Sequence, residues 1–519
     1  TKTLYNGDKT ILYYQTTVTT GAFVVPESIT SIMPGALAGS HITSITLPSQ
    51  FTRIEDSTFR NCTELKSITI GKNITYIGAS AFEGCTSLET ITFERGGTQA
   101  LRIADKAFKD CTSLKSLTIP HRLRDGGEEI TKTRYLDFID EYYDETFNCG
   151  GPGIGSNAFE NTGIVTIDYE TSAADGISDT GYRGRTLAIG DGAFRNCASL
   201  IKVTLPNFVS NSEEFYKKED IVKLPDIFTD ENMWDIESVT YNFIGNYAFY
   251  GCSKLVSVIM PETTGSEWDW GLNESSNCVI GAHAFENCSS LTNFGYENGG
   301  KYEWPSYANV IQSYAFANTG LTEVILPLVE DPMNPFDDGP VKYSIDEYAF
   351  YGCKKLVNFE MHGNMSYLSD GGTPVLGKYA FKDCTALTAA IFDDMYAVMD
   401  GAFENCTALK KVEMTFRDSH IWTPLTEYRM VGVNAFKGCS SLTSVDLKGQ
   451  LQNIEAGAFE GCSSLMNIVI PDDVTTVSAT AFAGWKSSQK ITVPFKDADS
   501  VIGGYAKGWS ANATVVYNG

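Results

Sequence analysis

Apolar positions in this chain recur in one fixed phrase, Ala-Phe-x-x-Cys-x-x-Leu-x-x-Ile-x-Ile, well seen at Phe59, Cys62, Leu65, Ile68 and Ile70. Ile68 and Ile70 alternate with Thr69, the period of a half-buried strand, so Leu65, Ile68 and Ile70 should point inward and Thr69 outward. Where nothing intervenes the phrase returns after about 23 residues, as from Cys62 to Cys85 and from Cys439 to Cys462. A fixed period of that size predicts a solenoid: a core drawn out as a column, with one parallel strand from each unit side by side on a concave face.

Some copies are degenerate, and they follow a rule of their own. Leu37, Phe159 and Phe316 open units in which Ser40, Thr162 or Thr319 stands in the Cys slot. In these the next apolar residue sits two positions on rather than three. The pairing of the two changes predicts a buried turn in which Cys fills a small apolar slot, while a shorter turn lets a hydroxyl bond its own backbone. A last copy at Phe482 carries Trp485 in the slot, as expected of a closing unit. The count is about 15 units. Residues 1–31 read as an amino-terminal cap with a half repeat, 32–485 as the repeat solenoid, and 486–519 as the closing cap. The chain opens Thr1-Lys2-Thr3, which reads as a trimmed mature segment.

The phrase resembles the Treponema pallidum-type leucine-rich repeat of BspA-like surface proteins, through Ile77-Gly78-Ala79-Ser80-Ala81-Phe82-Glu83-Gly84-Cys85-Thr86-Ser87-Leu88 and its copies along nearly the whole chain. The resemblance implies an α/β-type repeat solenoid with little regular helix. It also implies an exported bacterial protein, extracellular or on the cell surface, that adheres to host matrix or to other cells. The family defines no ligand motif that could be carried over residue by residue.

Eight insertions interrupt the repeats, all between the end of the strand and the next Ala-Phe: 121–153, 170–188, 207–243, 262–279, 297–310, 328–344, 362–375 and 415–430. A single entry phase places them along one edge, which in repeat proteins is often the binding face. Most of the net charge of −25 lies in them, with five of the seven Trp. Disordered linkers are poor in aromatics, so these loops are expected to be ordered and to bind. The candidate ligand-binding residues are Trp234, Trp268, Trp270, Tyr302, Trp304, Tyr307, Trp422 and Tyr428, with Tyr142 and Tyr143. In Trp268-Asp269-Trp270 and Tyr302-Glu303-Trp304 the rings alternate, so an extended chain would offer both rings of each pair on one side as a stacking platform. The outward strand positions look plainer, a threonine ladder (Thr46, Thr69, Thr92, Thr118) that gives way to Ile and isolated acids.

Chemistry is sparse. The five His are scattered, with no HExxH or other metal-ligand spacing. Eleven of the 13 Cys belong to the repeat and are expected to be free and buried. Cys149 and Cys278 fall outside it, and a bridge would need two loops to reach toward each other. The acidic runs at Asp140-Glu141 and Asp337-Asp338 fit no EF-hand loop. Asn61, Asn287 and Asn405 match the glycosylation sequon only because the repeat phrase happens to produce it. The charge excludes nucleic acid and anionic membrane surfaces as partners, and no apolar run is long enough to span a bilayer. The expectation is a monomeric binding protein with no cofactor, metal or catalysis. Its partner is a protein of host matrix or another cell surface, alternatively a glycan stacked on the loop rings, and remotely a glycan that it cleaves.

Overall fold

The computed structural model describes residues 3–15, 20–126, 128–136, 141–149, 151–170, 187–205, 214–217, 219, 221, 238–240, 243–260, 279–305, 308–327, 344–361, 375–395, 397–416, 429–501 and 503–519. Its contacts divide the chain into two compact units, Thr1–Ala284 and Phe285–Gly519.

In the first unit the expected strands form parallel ladders. Thr20–Val24, His41–Thr46, Ser67–Ile70 and Thr90–Phe93 make a four-stranded sheet. Ser116–Ile119, Thr166–Tyr169, Lys202–Thr204 and Ser257–Ile259 pair in the same way. Leu65, Ile68 and Ile70 are buried and Thr69 is exposed, as the alternation predicts. A second parallel ladder is made of the two-residue strands Arg53–Ile54, Tyr76–Ile77 and Arg102–Ile103 and continued by single bridges through Ile154, Ile189, Ile244 and Ile280. The repeat phenylalanines Phe59, Phe82, Phe108, Phe159, Phe194 and Phe249 stack with successive ring centroids 5.0–5.3 Å apart.

The second unit repeats the plan. Glu323–Leu326, Asn358–Met361, Ala389–Met395, Lys411–Phe416 and Ser444–Gly449 form a five-stranded parallel sheet. Asn467–Val469, Lys490–Val493 and Thr514–Tyr517 form a closing three-stranded one. The short-strand ladder runs in parallel pairs from Val310–Ile311 to Thr476–Val477. The ring column runs from Phe285 to Phe482 at 5.2–5.6 Å. Regular helix is nearly absent from the described residues.

The repeat cysteines are buried and free, but they do more than fill a slot. Most of the thiols donate to the carbonyl of the Phe one unit back, as Cys85 to Phe59 at 3.1 Å, Cys111 to Phe82 at 3.2 Å, Cys406 to Phe381 at 3.1 Å and Cys462 to Phe436 at 3.3 Å, while Cys62 donates to Leu37, which opens the unit before it, at 3.2 Å. Cys is a weak donor but small enough to reach this carbonyl from inside the column. Trp485 makes the same bond with its indole N–H, 3.0 Å from the Phe459 carbonyl. Burial pushes the Cys462 thiol up to about 12 and holds those of Cys406 and Cys439 well above the usual range, so they stay protonated.

Two of the hydroxyl units behave as expected. Ser40 Oγ donates to the Leu37 carbonyl at 2.5 Å, and Thr162 Oγ1 to that of Phe159 at 2.9 Å. All three hydroxyls also meet the next thiol, at 3.4 Å (Ser40–Cys62), 3.1 Å (Thr162–Cys197) and 3.2 Å (Thr319–Cys353). The neighbouring Cys85 thiol, and behind it Ser40, holds the Cys62 thiol down to about 7, while Cys85 is pushed well above its usual value. The shortened turn of Thr162 needs glycine next: a Cβ on Gly163 would lie 2.2 Å from the Thr112 carbonyl oxygen.

Candidate binding edge

Every insertion leaves the long-strand ladder and rejoins at the short one. In the first unit, 121–153 enters after Ser116–Ile119 and returns at the Ile154 bridge, and 207–243 enters after Lys202–Thr204 and returns at Ile244. These two insertions meet. Glu128–Leu136 and Glu141–Cys149 form an antiparallel hairpin, in register from Glu128 opposite Cys149 to Leu136 opposite Glu141. Cys149 then pairs with Tyr216 of Glu214–Tyr216, which pairs antiparallel with Ser238–Thr240. The result is one four-stranded sheet. The hairpin carries three Thr and three Tyr, which suit a pleated surface, beside four Glu and an Asp. Tyr142 lies opposite Tyr135 in this register, and Tyr143 opposite Arg134.

The base of the first insertion is charged yet buried. Arg122 donates to the carbonyls of Ile74 and, at 3.0 Å, Gly71. Asp125 accepts from the backbone N–H of Gly153 at 2.5 Å and of Ala188 at 2.6 Å, tying together the ends of two insertions. Arg122, Arg124 and Asp125 are 4%, 1% and 3% exposed. Ions at that depth persist only when hydrogen-bonded. These residues therefore anchor the loop and do not belong to its outer charge, a distinction that residue counting misses.

In the second unit the repeat strand after Leu291 runs on into the insertion 297–310 as a hairpin, Asn293–Asn298 with Lys301–Glu303, turned at Gly299 and Gly300 with φ of +58° and +85°. Tyr296 Oη and, at 3.0 Å, Asn298 Nδ2 donate to the Glu303 carboxylate. Tyr302 is half-buried. Trp304 corrects the platform expectation. The strand ends at Glu303, and the indole folds inward, 6% exposed, with its ring 4.7 Å from Phe294 and 5.3 Å from Phe316. Its N–H reaches the Ala308 carbonyl at 2.9 Å. Trp304 is a staple of the loop onto the phenylalanine column.

Trp234, Trp268, Trp270, Tyr307, Trp422, Tyr428 and Cys278 lie outside the described residues, while Tyr142 and Tyr143 are placed by their strand. Among the described residues no group of three or more His, Cys, Asp or Glu could hold a metal ion, and no helix is long and apolar enough to cross a membrane.

The profile of the BspA type Leucine rich repeat region (6 copies) matches residues 12–130, 154–266, 225–330, 340–421 and 429–506. No curated protein matches the chain. Among solved structures, a leucine-rich repeat protein from Bacteroides ovatus aligns over 100% of this chain and 98% of its own, at 20% identity and a TM-score of 0.51. A leucine rich cell surface protein from Faecalibacterium prausnitzii aligns over 100% and 93%, at 17% identity and 0.31. The T. pallidum Leucine Rich Repeat protein covers 56% of this chain and 87% of its own, at 18% identity and 0.28.

Proposed function

Because the chain belongs to the BspA type leucine-rich repeat family, we propose that it is a surface-displayed bacterial binding protein whose inserted edge docks a protein of host matrix or of a neighbouring cell. One observation carries the reading: the insertions 121–153 and 207–243, far apart in sequence, share a four-stranded sheet. Loops that only closed gaps between repeats would not need to build a joint surface. The acid concentrated in the insertions favours a cationic patch on the partner and steers its approach. The protein works by binding and catalyses nothing.

Carbohydrate recognition is the second reading. It rests on Trp268, Trp270 and Trp422, since Trp304 is turned inward. Salt separates the two. Raising it from about 0.1 M to about 1 M shrinks the screening length from ~10 Å to ~3 Å. Capture of matrix proteins by the immobilised chain should fall steeply over that range. Salt-independent capture confined to a glycan array would overturn the protein reading in favour of sugar stacking.

A further inference from the structure

The position just after Leu65, Leu88, Leu114, Ile164, Leu200 and Leu255 falls at the start of each repeat strand in the first unit. It reads Lys66, Glu89, Lys115, Val165, Ile201 and Val256. The last three are apolar and consecutive. Ile201 N–H donates to the Val165 carbonyl and Val256 N–H to that of Ile201, both at 2.8 Å. The three therefore stand on adjacent rungs of the ladder, about 4.8 Å apart. Ile201 is 44% and Val256 38% exposed, and Val165 is half-buried. Among the described residues of this unit beyond Met33, Tyr247 is the only other large apolar side chain as open. In the second unit the apolar residues at this position, Val357 and Met466, stand apart, separated by Thr388, Lys410 and Thr443.

Lysines border this strip. Lys202 follows Ile201 and stands in register with Thr166 and Ser257. Lys254 lies in the turn before Val256. A Cβ on Gly163 would meet Lys115 Nζ at 3.0 Å, which places that ammonium over the turn leading to Val165. Lys115 and Lys254 are exposed and Lys202 is half-buried, and none of the three has an ion-pair partner among the described residues. The other charges on these strands and turns do not cancel them. Glu160 is held by Lys109 at 2.7 Å, and Lys66 and Glu89, earlier in the row, offset each other. Arg195 lies 6.0 Å and 5.8 Å from the ring centres of Tyr247 and Tyr250. Two carboxylates remain, Asp110, which accepts from Asn161 Nδ2 at 3.0 Å, and the exposed Asp168. Lys115, Arg195, Lys202 and Lys254 thus outnumber the acids here, in a chain of net charge −25. The acidic insertions leave from the opposite end of these same strands.

We propose that Val165, Ile201 and Val256, with Lys115, Lys202 and Lys254, form a second docking surface, for an acidic segment of a partner protein that also carries apolar side chains. Its apolar side chains cover Ile201 and Val256, and its carboxylates meet the lysines on either side. Contiguous exposed aliphatic groups with a polar rim mark a contact surface, and cations without partners select an anionic one. The lysines alone would suit any polyanion. The apolar row is what favours a polypeptide, since a phosphate polymer has nothing to lay on it. This surface and the inserted edge call for partners of opposite charge, so neither depends on the other.

The test titrates the full chain, its isoleucine methyls isotope-labelled, with a synthetic peptide of glutamate and leucine. Three further probes are its lysine–leucine counterpart, a glutamate–serine peptide and phosphatidylglycerol vesicles. The glutamate–leucine peptide should shift the Ile201 methyl resonance and bind about tenfold tighter than the lysine–leucine one. The glutamate–serine peptide should bind several-fold more weakly, for want of apolar contact. The combined Lys202→Glu and Lys254→Glu variant should lose about tenfold in affinity for the glutamate–leucine peptide. Ile201→Thr, which keeps every charge and a β-branched strand residue, should lose several-fold even if the double variant fails to fold. Trimming the insertions should leave the Ile201 shift in place, so failure here and failure of the inserted edge are distinguishable. Equal binding of the glutamate–leucine and lysine–leucine peptides, unchanged affinity in Ile201→Thr, or an Ile201 shift produced by the vesicles instead would overturn the proposal.

Discussion

The phenylalanine column and the inserted edge are built from the same residue types and obey different rules. In the column one side chain does one task many times: Phe381 stacks between Phe350 at 5.2 Å and Phe403 at 5.3 Å, as its neighbours do in turn. At the edge each contact is made once. Trp485 and Trp304 show the contrast within one residue type. Trp485 takes a repeat slot and makes the bond that the slot's cysteines make, whereas Trp304 finds the Ala308 carbonyl in a loop with no counterpart. Repetition amplifies a sequence signal, and a contact made once leaves none to read.

Substitutions can break this comparison or sharpen it. Phe381→Ala should cost about 3–5 kcal/mol, because the ring leaves a cavity between two stacked neighbours and the edge of Phe359 at 4.5 Å. Urea unfolding of the full chain reads this out, and a cost below about 1 kcal/mol would mean the column repacks freely. Trp304→Ala should approach the same figure, about 3 kcal/mol. Such a loss would put this edge residue with the core, and a neutral result would return it to the list of binding rings. Cys406→Ala should cost about 1–2 kcal/mol for the lost thiol bond and the small void. Cys406→Ser should not recover all of it, because the hydroxyls of Ser40 and Thr162 turn to their own turn's carbonyl.

The smallest effect belongs to the surface. Lys382 and Glu404 are partly exposed, so Lys382→Ala should cost about 0.5 kcal/mol or less. The Glu404 hydrogen bond raises the lysine above its usual 10.5. Its contribution is therefore complete at neutral pH and fades only as pH rises through the raised value. A wild-type minus variant difference that already declined between about pH 6 and 8 would contradict that sign.

Much of the column could be read directly. The strand triplet Leu65, Ile68 and Ile70, the free buried thiols and the shortened hydroxyl turns all follow from comparing copies of one phrase. The short-strand ladder could not, since two residues such as Tyr76 and Ile77 are too few to display an alternation. Nor could the thiol bonds to the preceding unit, because a cysteine in an apolar slot reads as a small hydrophobe. At the edge, Tyr302-Glu303-Trp304 has the spacing of a one-sided platform, and nothing in that spacing reveals that the strand stops at Glu303. The pairing of Cys149 with Tyr216 joins segments separated by two further repeats. No local pattern encodes such a register.

The division of labour between column and edge is tested most directly by replacing 128–146, which spares the buried Phe147, with a short Gly-Ser turn and measuring two quantities on one sample. Melting of the chain should be nearly unchanged, because the column contacts lie outside the hairpin and the buried anchors Arg122 and Asp125 are retained. Capture of matrix protein at low salt should fall about tenfold. Unchanged capture, or a melting transition lowered as far as that of Phe381→Ala, would contradict it.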